Sequence, residues 1–225
     1  MGRWGHPIVD KVSFPGLFEG DLDLDLIGDI EREMKKAGLP KVELEAMLYK
    51  PTSDEYKKTR DALVADGVGD AIVTHLRSRA DRETGYLKSD LEYKSILTVA
   101  LLLGAGSKID QQHLDYVQAL TGEVQSREGF AHALWDHGFR GPGKRQFLAA
   151  LKAYQPGVCR DLGAPSCFTC GKTKQDTDKV PSTCGKCKGA WYCNKDCQRS
   201  HWKYHKKSCR DPNDSQGLPY VMMNV

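Results

Sequence analysis

Apolar residues recur at intervals of three and four through most of the first 154 residues, and this spacing predicts α-helices. Strand-like alternation with Asn-Gly turns is scarce in the same region. The pattern therefore predicts an all-helical domain over residues 1–158 in a mainly α protein. The predicted helices cover residues 21–37, 42–49, 54–66, 70–80, 91–103, 110–120, 127–136 and 144–154.

Residues at the ends of these segments support the helix prediction. Residues 21–37 begin with acidic side chains and end with lysines, which is the arrangement that the helix dipole favours. Thr52 or Ser53 stands where the next helix needs an N-cap. The run from Leu91 to Leu103 is the most apolar segment of the chain. We therefore expect it to form the central helix.

Proline and glycine become frequent between Gln155 and Ser166, and this composition predicts a linker at residues 159–166. A second, smaller module is expected at residues 167–209, followed by a tail at residues 210–225. Charge divides in the same way, because the chain from Cys159 onward carries twelve basic and six acidic residues. The whole chain has a net charge of +3, so the first 158 residues are net negative. Such asymmetry indicates two modules with different surfaces.

No apolar run approaches the roughly 18–20 residues that are needed to cross a bilayer. The best stretch, Ile96 to Leu103, is too short, and the first ten residues lack the apolar core of a secretion signal. These features predict an intracellular protein, in the nucleus or the cytoplasm, with no membrane partner.

The eight cysteines are clustered, since all lie after residue 158 and seven fall between Cys167 and Cys209. Short gaps between cysteines, without a secretion signal, indicate metal ligation rather than disulfides. Two-residue gaps suit tight knuckles, and three-residue gaps place two ligands one helical turn apart. Spacing alone leaves open which pairs share a metal. Four pairs predict two closed, tetrahedral zinc sites, with these ligands: Cys167 and Cys170, Cys184 and Cys187, Cys193 and Cys197, His205 and Cys209.

The segment from Cys187 to Cys209 resembles the MYND zinc-finger family almost position by position. The residues that carry the resemblance are Tyr192 before the fifth cysteine of the chain's finger, Gln198 after the sixth, Trp202 four residues later and His205 three beyond. The resemblance implies a cross-braced finger in which ligand pairs alternate. One zinc would bind Cys167, Cys170, Cys193 and Cys197, and the other would bind Cys184, Cys187, His205 and Cys209.

Two nearby side chains and one other fold are alternatives to this assignment. His201 lies four residues before His205 and could compete as a ligand, although the family spacing favours His205. Cys159 lies outside the pattern and is interpreted as an ordinary thiol. A RING finger would need two-residue gaps in its later pairs and a central Cys-x-His, and this sequence has neither.

The resemblance also implies a function, because MYND fingers bind short peptides that contain proline and leucine in a shallow groove beside the last helix. Gln198 and Trp202 match that groove. An indole is a flat surface for a proline ring, and a side-chain amide can bond an extended backbone. Packing between the zinc sites is the other interpretation of Trp202. The primary hypothesis is an adaptor or regulatory protein whose finger docks proline-containing segments of partner proteins.

The alternative hypothesis is a nucleic-acid-binding transcriptional regulator, since residues 167–209 carry ten lysines and arginines against three aspartates. Among these ten residues only Arg199 is an arginine, the side chain that can donate two hydrogen bonds to the edge of one base. A solvated charged face is therefore favoured over nucleic-acid binding.

Catalysis is the third class of function. Some MYND fingers interrupt the catalytic SET domain of lysine methyltransferases, and much of that domain follows the finger. Here 16 residues follow Cys209, common catalytic motifs are missing, and closed zinc sites leave no place for a catalytic water. These observations predict that the chain is not an enzyme.

Overall fold

The described part of the chain folds mainly into α-helices, as the apolar spacing predicts. The computed structural model describes residues 18–49, 53–124, 126–127, 139–207 and 209–211. Its helices are α1 (Phe18–Lys36), α2 (Leu44–Tyr49), α3 (Asp54–Val64), α4 (Val68–Ala80), α5 (Gly85–Ala105), α6 (Gln111–Glu123), α7 (Gly141–Lys152), α8 (Lys174–Thr177) and α9 (Lys195–His205). Two short ladders complete it: β1 (Ser126–Arg127) pairs in parallel with β2 (Phe139–Arg140), and β3 (Ser182–Thr183) pairs antiparallel to β4 (Trp191–Tyr192).

One predicted helix cannot be compared with the structure. Of the segment 127–136, only Arg127 belongs to the described residues, and it lies in β1 instead of starting a helix. The predicted cap of α3 is found at Ser53, whose Oγ accepts a hydrogen bond from the amide of Tyr56 at 3.0 Å. The other candidate cap, Thr52, lies outside the described residues.

The chain divides into two compact units, and residues 20–124 with 154–161 form the one that we call the first. α5 is the central helix of this first unit, as its apolar composition predicts. From Leu91 onward it is buried on nearly all sides, and Ile96 and Leu102 are fully buried. α4 packs along it, and α2, α3 and α6 also contact it. The helix begins at Gly85, six residues before the predicted start. The additional first turn is solvent-exposed, with Tyr86 68% exposed. The prediction followed the continuous apolar run from Leu91, and the first turn lies before that run.

A buried carboxylate joins α1 to α4 in this unit. Glu33 is 6% exposed, and its carboxylate accepts hydrogen bonds from Arg79 at 2.5 Å, Lys36 at 2.8 Å and His75 at 3.0 Å. Burial by itself raises the pKa of a carboxyl group, but these three bonds outweigh it and hold the pKa of Glu33 at about 2. The carboxylate is therefore ionised in the folded protein at neutral pH.

Residues 154–161, which include part of the proline- and glycine-rich stretch, pack on the first unit. The Tyr154 hydroxyl donates to the carbonyl of Ser107 at 3.0 Å and accepts from the amide of Ile109 at 2.8 Å. The amide of Arg160 donates to the carbonyl of Leu103 at 2.9 Å. By compactness, residues 20–124 and 154–161 form one unit, and the described residues of 125–153 group with those from 162 onward.

Within the second unit, the start of α7 lies against the first cysteine knuckle. Gly171 has a φ of +73°, and a Cβ at this position would overlap the backbone of Arg145 and lie 2.6 Å from the amide nitrogen of Gln146. The Gln146 side chain is fully buried and donates to the carbonyl of Ala164 at 3.1 Å. Only glycine fits this close approach of two backbone segments.

Among the described residues, no helix is long and apolar enough to span a membrane.

Candidate metal centre

The structure brings the eight candidate ligands together in two groups of four. Within each group the sulfur and nitrogen ligand atoms all lie within 4.8 Å of one another. The groups are interleaved along the chain, so that each takes one knuckle and one later pair. One group is Cys167, Cys170, Cys193 and Cys197, and the other is Cys184, Cys187, His205 and Cys209.

The spacing of the ligand atoms suits zinc. A tetrahedron with Zn–S bonds of about 2.3 Å has sulfur–sulfur edges of about 3.8 Å. The sulfurs of Cys170 and Cys193 are 3.6 Å apart, and those of Cys184 and Cys209 are 3.7 Å apart. The mixed edge between Cys187 Sγ and His205 Nε2 is 3.4 Å, and it is shorter because Zn–N bonds are shorter than Zn–S bonds. The two clusters therefore fit the two zinc ions of a cross-braced finger.

Backbone turns shape both knuckles. In the first, the amide of Cys167 donates to the carbonyl of Lys172 at 2.9 Å, and the amide of Gly171 donates back to Cys167 at 2.8 Å. In the second, the amide of Cys184 donates to the carbonyl of Ala190 at 2.7 Å. These bonds curl each Cys-x2-Cys segment so that its two sulfurs converge.

α9 holds the later ligands on one of its faces. Asn194 is its N-cap, and its side-chain oxygen accepts from the amide of Cys197 at 2.9 Å. His205 follows Cys197 by eight residues on this helix and is buried, whereas Cys193 lies between β4 and the cap. Asn194 was missed from sequence, although an asparagine just before a helix is a recognisable N-cap. Thr169 was missed as well, and its hydroxyl donates to the carbonyl of Cys197 at 2.6 Å.

The electrostatics of the clusters favour a cation. Burial opposes ionisation of Cys167, but amide groups of Cys170 and Cys193 that bond its sulfur lower its pKa below the usual value. Burial and the negative charge of Cys167 then raise the pKa of Cys197 to about 12. A divalent cation among the sulfurs removes this repulsion and allows all of them to ionise.

Two histidines lie on the ligand face of α9, and the structure separates their surroundings. His205 Nε2 belongs to the second cluster. His201 is buried as well, but its Nδ1 lies 3.0 Å from the Tyr192 hydroxyl. Its ring also packs edge-on against Phe168, with centroids 5.8 Å apart. His201 therefore lies in the small aromatic core of the finger.

The two candidate peptide-binding residues lie near each other along α9. Trp202 is 46% exposed, and its ring and that of His205 meet in a T-shaped arrangement with centroids 5.9 Å apart. Gln198, one turn earlier, is half-buried. Cys159 belongs to neither cluster, and its Sγ lies 3.3 Å from the carbonyl oxygen of Ala105 in the first unit.

Comparisons with known proteins agree with this geometry. The family model of the MYND finger matches residues 167–209. N-lysine methyltransferase SMYD2-A of Danio rerio is 34% identical over 84 residues, and SMYD2-B of Xenopus laevis is 46% identical over 83 residues. Human N-lysine methyltransferase SMYD2 is 35% identical over 83 residues. Each match covers 32% of this chain and 18% of the relative, so the chain matches less than a fifth of their length. No solved structure matches the chain significantly.

The prediction that the chain is not an enzyme is contradicted by these relatives, which are named as N-lysine methyltransferases. The prediction relied on the number of residues after Cys209 and on the closed zinc sites. Neither bears on catalysis elsewhere in a protein that carries such a finger, because a structural zinc module and a catalytic centre are separate sites. The matched region in each relative is the part that contains the finger.

Residues 167–209 are thus a MYND finger, a zinc-binding module of protein–protein interaction.

Proposed function

We propose that the finger docks proline-containing segments of partner proteins on the exposed side of α9, and that the protein acts as an adaptor or regulator. One observation carries the proposal. The finger buries Phe168 and Tyr192 to 3% exposure each but leaves the Trp202 indole 46% exposed. A small zinc-stabilised fold has few apolar residues, and leaving one of its two tryptophans nearly half exposed has a cost that a docking role explains.

The two zinc ions have a structural part in this proposal. The eight clustered side chains act as the ligands, four to each ion, so that no coordination position remains for water or substrate. The aromatic core around Phe168 and Tyr192 is too small to hold about 43 residues folded by itself, and zinc supplies the missing stability. The ions thereby fix the orientation of α9 and of Trp202.

Gln198 and Trp202 have different roles in the proposed contact. The indole of Trp202 provides a flat apolar surface for a proline ring. The Gln198 side chain, one turn earlier, can exchange hydrogen bonds with the backbone of an extended peptide. A peptide loses conformational entropy when it becomes ordered on so small a surface, so we expect a dissociation constant in the micromolar range. This corresponds to a binding free energy of roughly 7–8 kcal/mol.

Calorimetric titration of the full chain with a Pro-x-Leu-x-Pro peptide tests the proposal. Trp202→Ala is expected to weaken binding by more than about 1 kcal/mol, and Gln198→Ala by somewhat less. Tyr204→Ala is the matched control, because Tyr204 is a similarly exposed aromatic at 44% on the same helix, two positions away from Trp202 and so on another side. Zinc content should stay at two in all three variants. Equal losses for Trp202→Ala and Tyr204→Ala would reject the proposed site.

Salt dependence separates peptide docking from the nucleic-acid alternative. Affinity for a neutral peptide should barely change between about 50 and 200 mM salt, whereas phosphate binding falls steeply through counterion release. Tight duplex DNA binding with no peptide binding would favour the alternative.

A second candidate function is participation in N-lysine methylation, because the matched relatives are N-lysine methyltransferases. The test is transfer of labelled methyl groups from a methyl donor to protein lysines by the full chain. Absence of transfer would reject the candidate for this chain, and it would leave the docking proposal standing.

We also propose an intracellular location, in the nucleus or the cytoplasm. The interior of a cell is reducing, so the eight cysteines remain thiols and do not form disulfides, which leaves the seven in the finger free to bind zinc. The division into residues 1–158, 159–166, 167–209 and 210–225 is proposed as a division of the sequence, with α7 of the first segment packed against the finger.

A further inference from the structure

Trp202 lies in the middle of a row of basic residues on α9. Lys195, Arg199, Trp202 and Lys206 follow one another at spacings of four, three and four, and this spacing places them on one face of a helix. Lys206 directly follows the helix and keeps right-handed helical dihedral angles, with φ −56° and ψ −28°, so the row continues through it. All four residues are exposed. We call these four residues, three basic and one aromatic, the basic row.

The opposite side of α9 faces the metal clusters. His201 and His205 are buried there, and Cys197 is half-buried. The basic row therefore lies on a side of the helix that is open to a partner.

Charges on the basic row are largely uncompensated. Among the described residues, Lys195 and Lys206 form no ion pair, and Arg199 is bonded only to Asp196 at 3.0 Å. Both members of that pair are strongly exposed, with side chains 76% and 83% accessible, so solvent weakens it. An aromatic residue flanked by cations on both sides attracts a ligand that is apolar in its centre and acidic at its ends.

We infer that the partner segment carries acidic side chains on both sides of its proline-containing core. This inference rests on the proposed docking function and adds the partner's charge pattern to it. Successive residues of the basic row lie about 4.5–6 Å apart along α9, since they are three or four residues apart and a helix rises about 1.5 Å per residue. An extended peptide advances about 3.3 Å per residue. With a Pro-x-Leu-x-Pro core centred on Trp202, a residue directly outside either end of the core lies three positions, or about 10 Å, away along the helix. It therefore lies beside Lys195, about 10.5 Å from Trp202, on one side and within reach of the long side chain of Lys206 on the other.

The experiment titrates the full chain with two synthetic peptides that share the same Pro-x-Leu-x-Pro core. One has glutamate directly outside each end of the core, three positions from its central leucine, and the other has glutamine there. At about 50 mM salt the acidic peptide should bind several-fold more tightly, because each exposed ion pair contributes a factor of about two to five. That advantage should shrink at about 500 mM salt, where the Debye length is a few ångströms, while the affinity of the glutamine peptide stays nearly constant.

Charge-reversal variants identify the residues responsible. Lys206→Glu should abolish the preference for the acidic peptide or reverse it, with little effect on the glutamine peptide. Lys179→Glu is the control, because it makes the same change of charge at an exposed lysine of the finger outside α9. Equal effects of the two variants would mean a general electrostatic attraction and would overturn the inference.

The outcomes distinguish this inference from the function on which it rests. If the glutamine peptide binds through Trp202 but the acidic peptide binds no better, the charge pattern is wrong and docking stands. If neither peptide responds to Trp202→Ala, docking itself is wrong. Duplex DNA is also added at the same concentration of negative charges as the acidic peptide. If the DNA displaces the peptide, the basic row binds any polyanion, and the inference is overturned.

Discussion

The hydroxyl of Tyr192 lies 3.0 Å from Nδ1 of His201 in the interior of the finger. Tyr192 is 3% exposed and His201 is 9% exposed, so the hydrogen bond is shielded from water. Burial, followed by the negative charge of nearby thiolates, raises the pKa of the Tyr192 hydroxyl, which therefore remains protonated. One ring nitrogen of His201 is thus occupied by an uncharged partner within the core.

This relationship predicts different effects for the two neighbouring histidines. His205→Ala should reduce zinc content from two ions per chain to one, because it removes a ligand atom of the second cluster. His201→Ala should keep both ions and cost about 1–3 kcal/mol of stability, since it leaves the Tyr192 hydroxyl buried without its partner. Metal analysis of the purified chains measures the difference. Loss of zinc in His201→Ala, with two ions kept in His205→Ala, would move the ligand by one helical turn.

Gly171 gives a prediction about the contact between α7 and the first knuckle. Gly171→Ala should destabilise the second unit by several kcal/mol, because the new methyl group overlaps the Arg145 backbone at a positive φ. Gly185→Ala is the matched control: Gly185 follows a cysteine of the second knuckle, and its added Cβ would meet nothing within 4 Å. Denaturant unfolding compares the two variants. Similar midpoints would contradict the close approach.

Zinc removal should affect α7 as well as the finger. α7 groups with the finger residues, and its backbone at Arg145 lies against Gly171. After chelation, amide hydrogens of α7 and of residues 167–209 should exchange faster, whereas those of α5 should stay protected. Hydrogen exchange measured by mass spectrometry on the full chain resolves these segments. Continued protection of α7 without zinc would show that the helix is held by other contacts.

The buried Glu33 predicts a defined dependence of stability on pH. Its folded pKa of about 2 lies below the ordinary value of 4.5, so its ionised form stabilises the fold above about pH 4.5. That contribution is lost as the pH falls toward 2. Glu33→Gln should therefore cost about 2 kcal/mol near pH 7, and progressively less below pH 4.5.

The comparison at each pH is between wild type and variant, because acid also releases zinc from both. The probe is the helical circular dichroism signal during denaturant unfolding. Glu123→Gln, at an exposed carboxylate on α6, should change stability little at any pH. A constant difference between wild type and Glu33→Gln down to pH 3 would contradict the role assigned to this carboxylate.

Much of the fold could be predicted from local sequence because helices depend on contacts within a few residues. The apolar run at Leu91–Leu103 marked the central helix, and Ser53 marked the start of α3. The first turn of α5 lies before the continuous apolar run, and its two apolar side chains, Tyr86 and Leu87, are exposed, so the start of the helix was predicted too late. Fold class and the MYND finger followed from residue order alone, since a zinc finger needs particular ligands at short and characteristic spacings.

The sequence by itself determined which residue types could bind zinc and how many ions they could hold. It could not distinguish His201 from His205 by chemistry, because residues four apart lie on the same helical face. The tertiary structure brought His205 to the second cluster and His201 to Tyr192. It also decided the exposure of Trp202, the burial of Glu33 and the approach of Gly171 to Arg145. Each of these depends on segments far apart in the chain, and local spacing carries no information about how such segments pack.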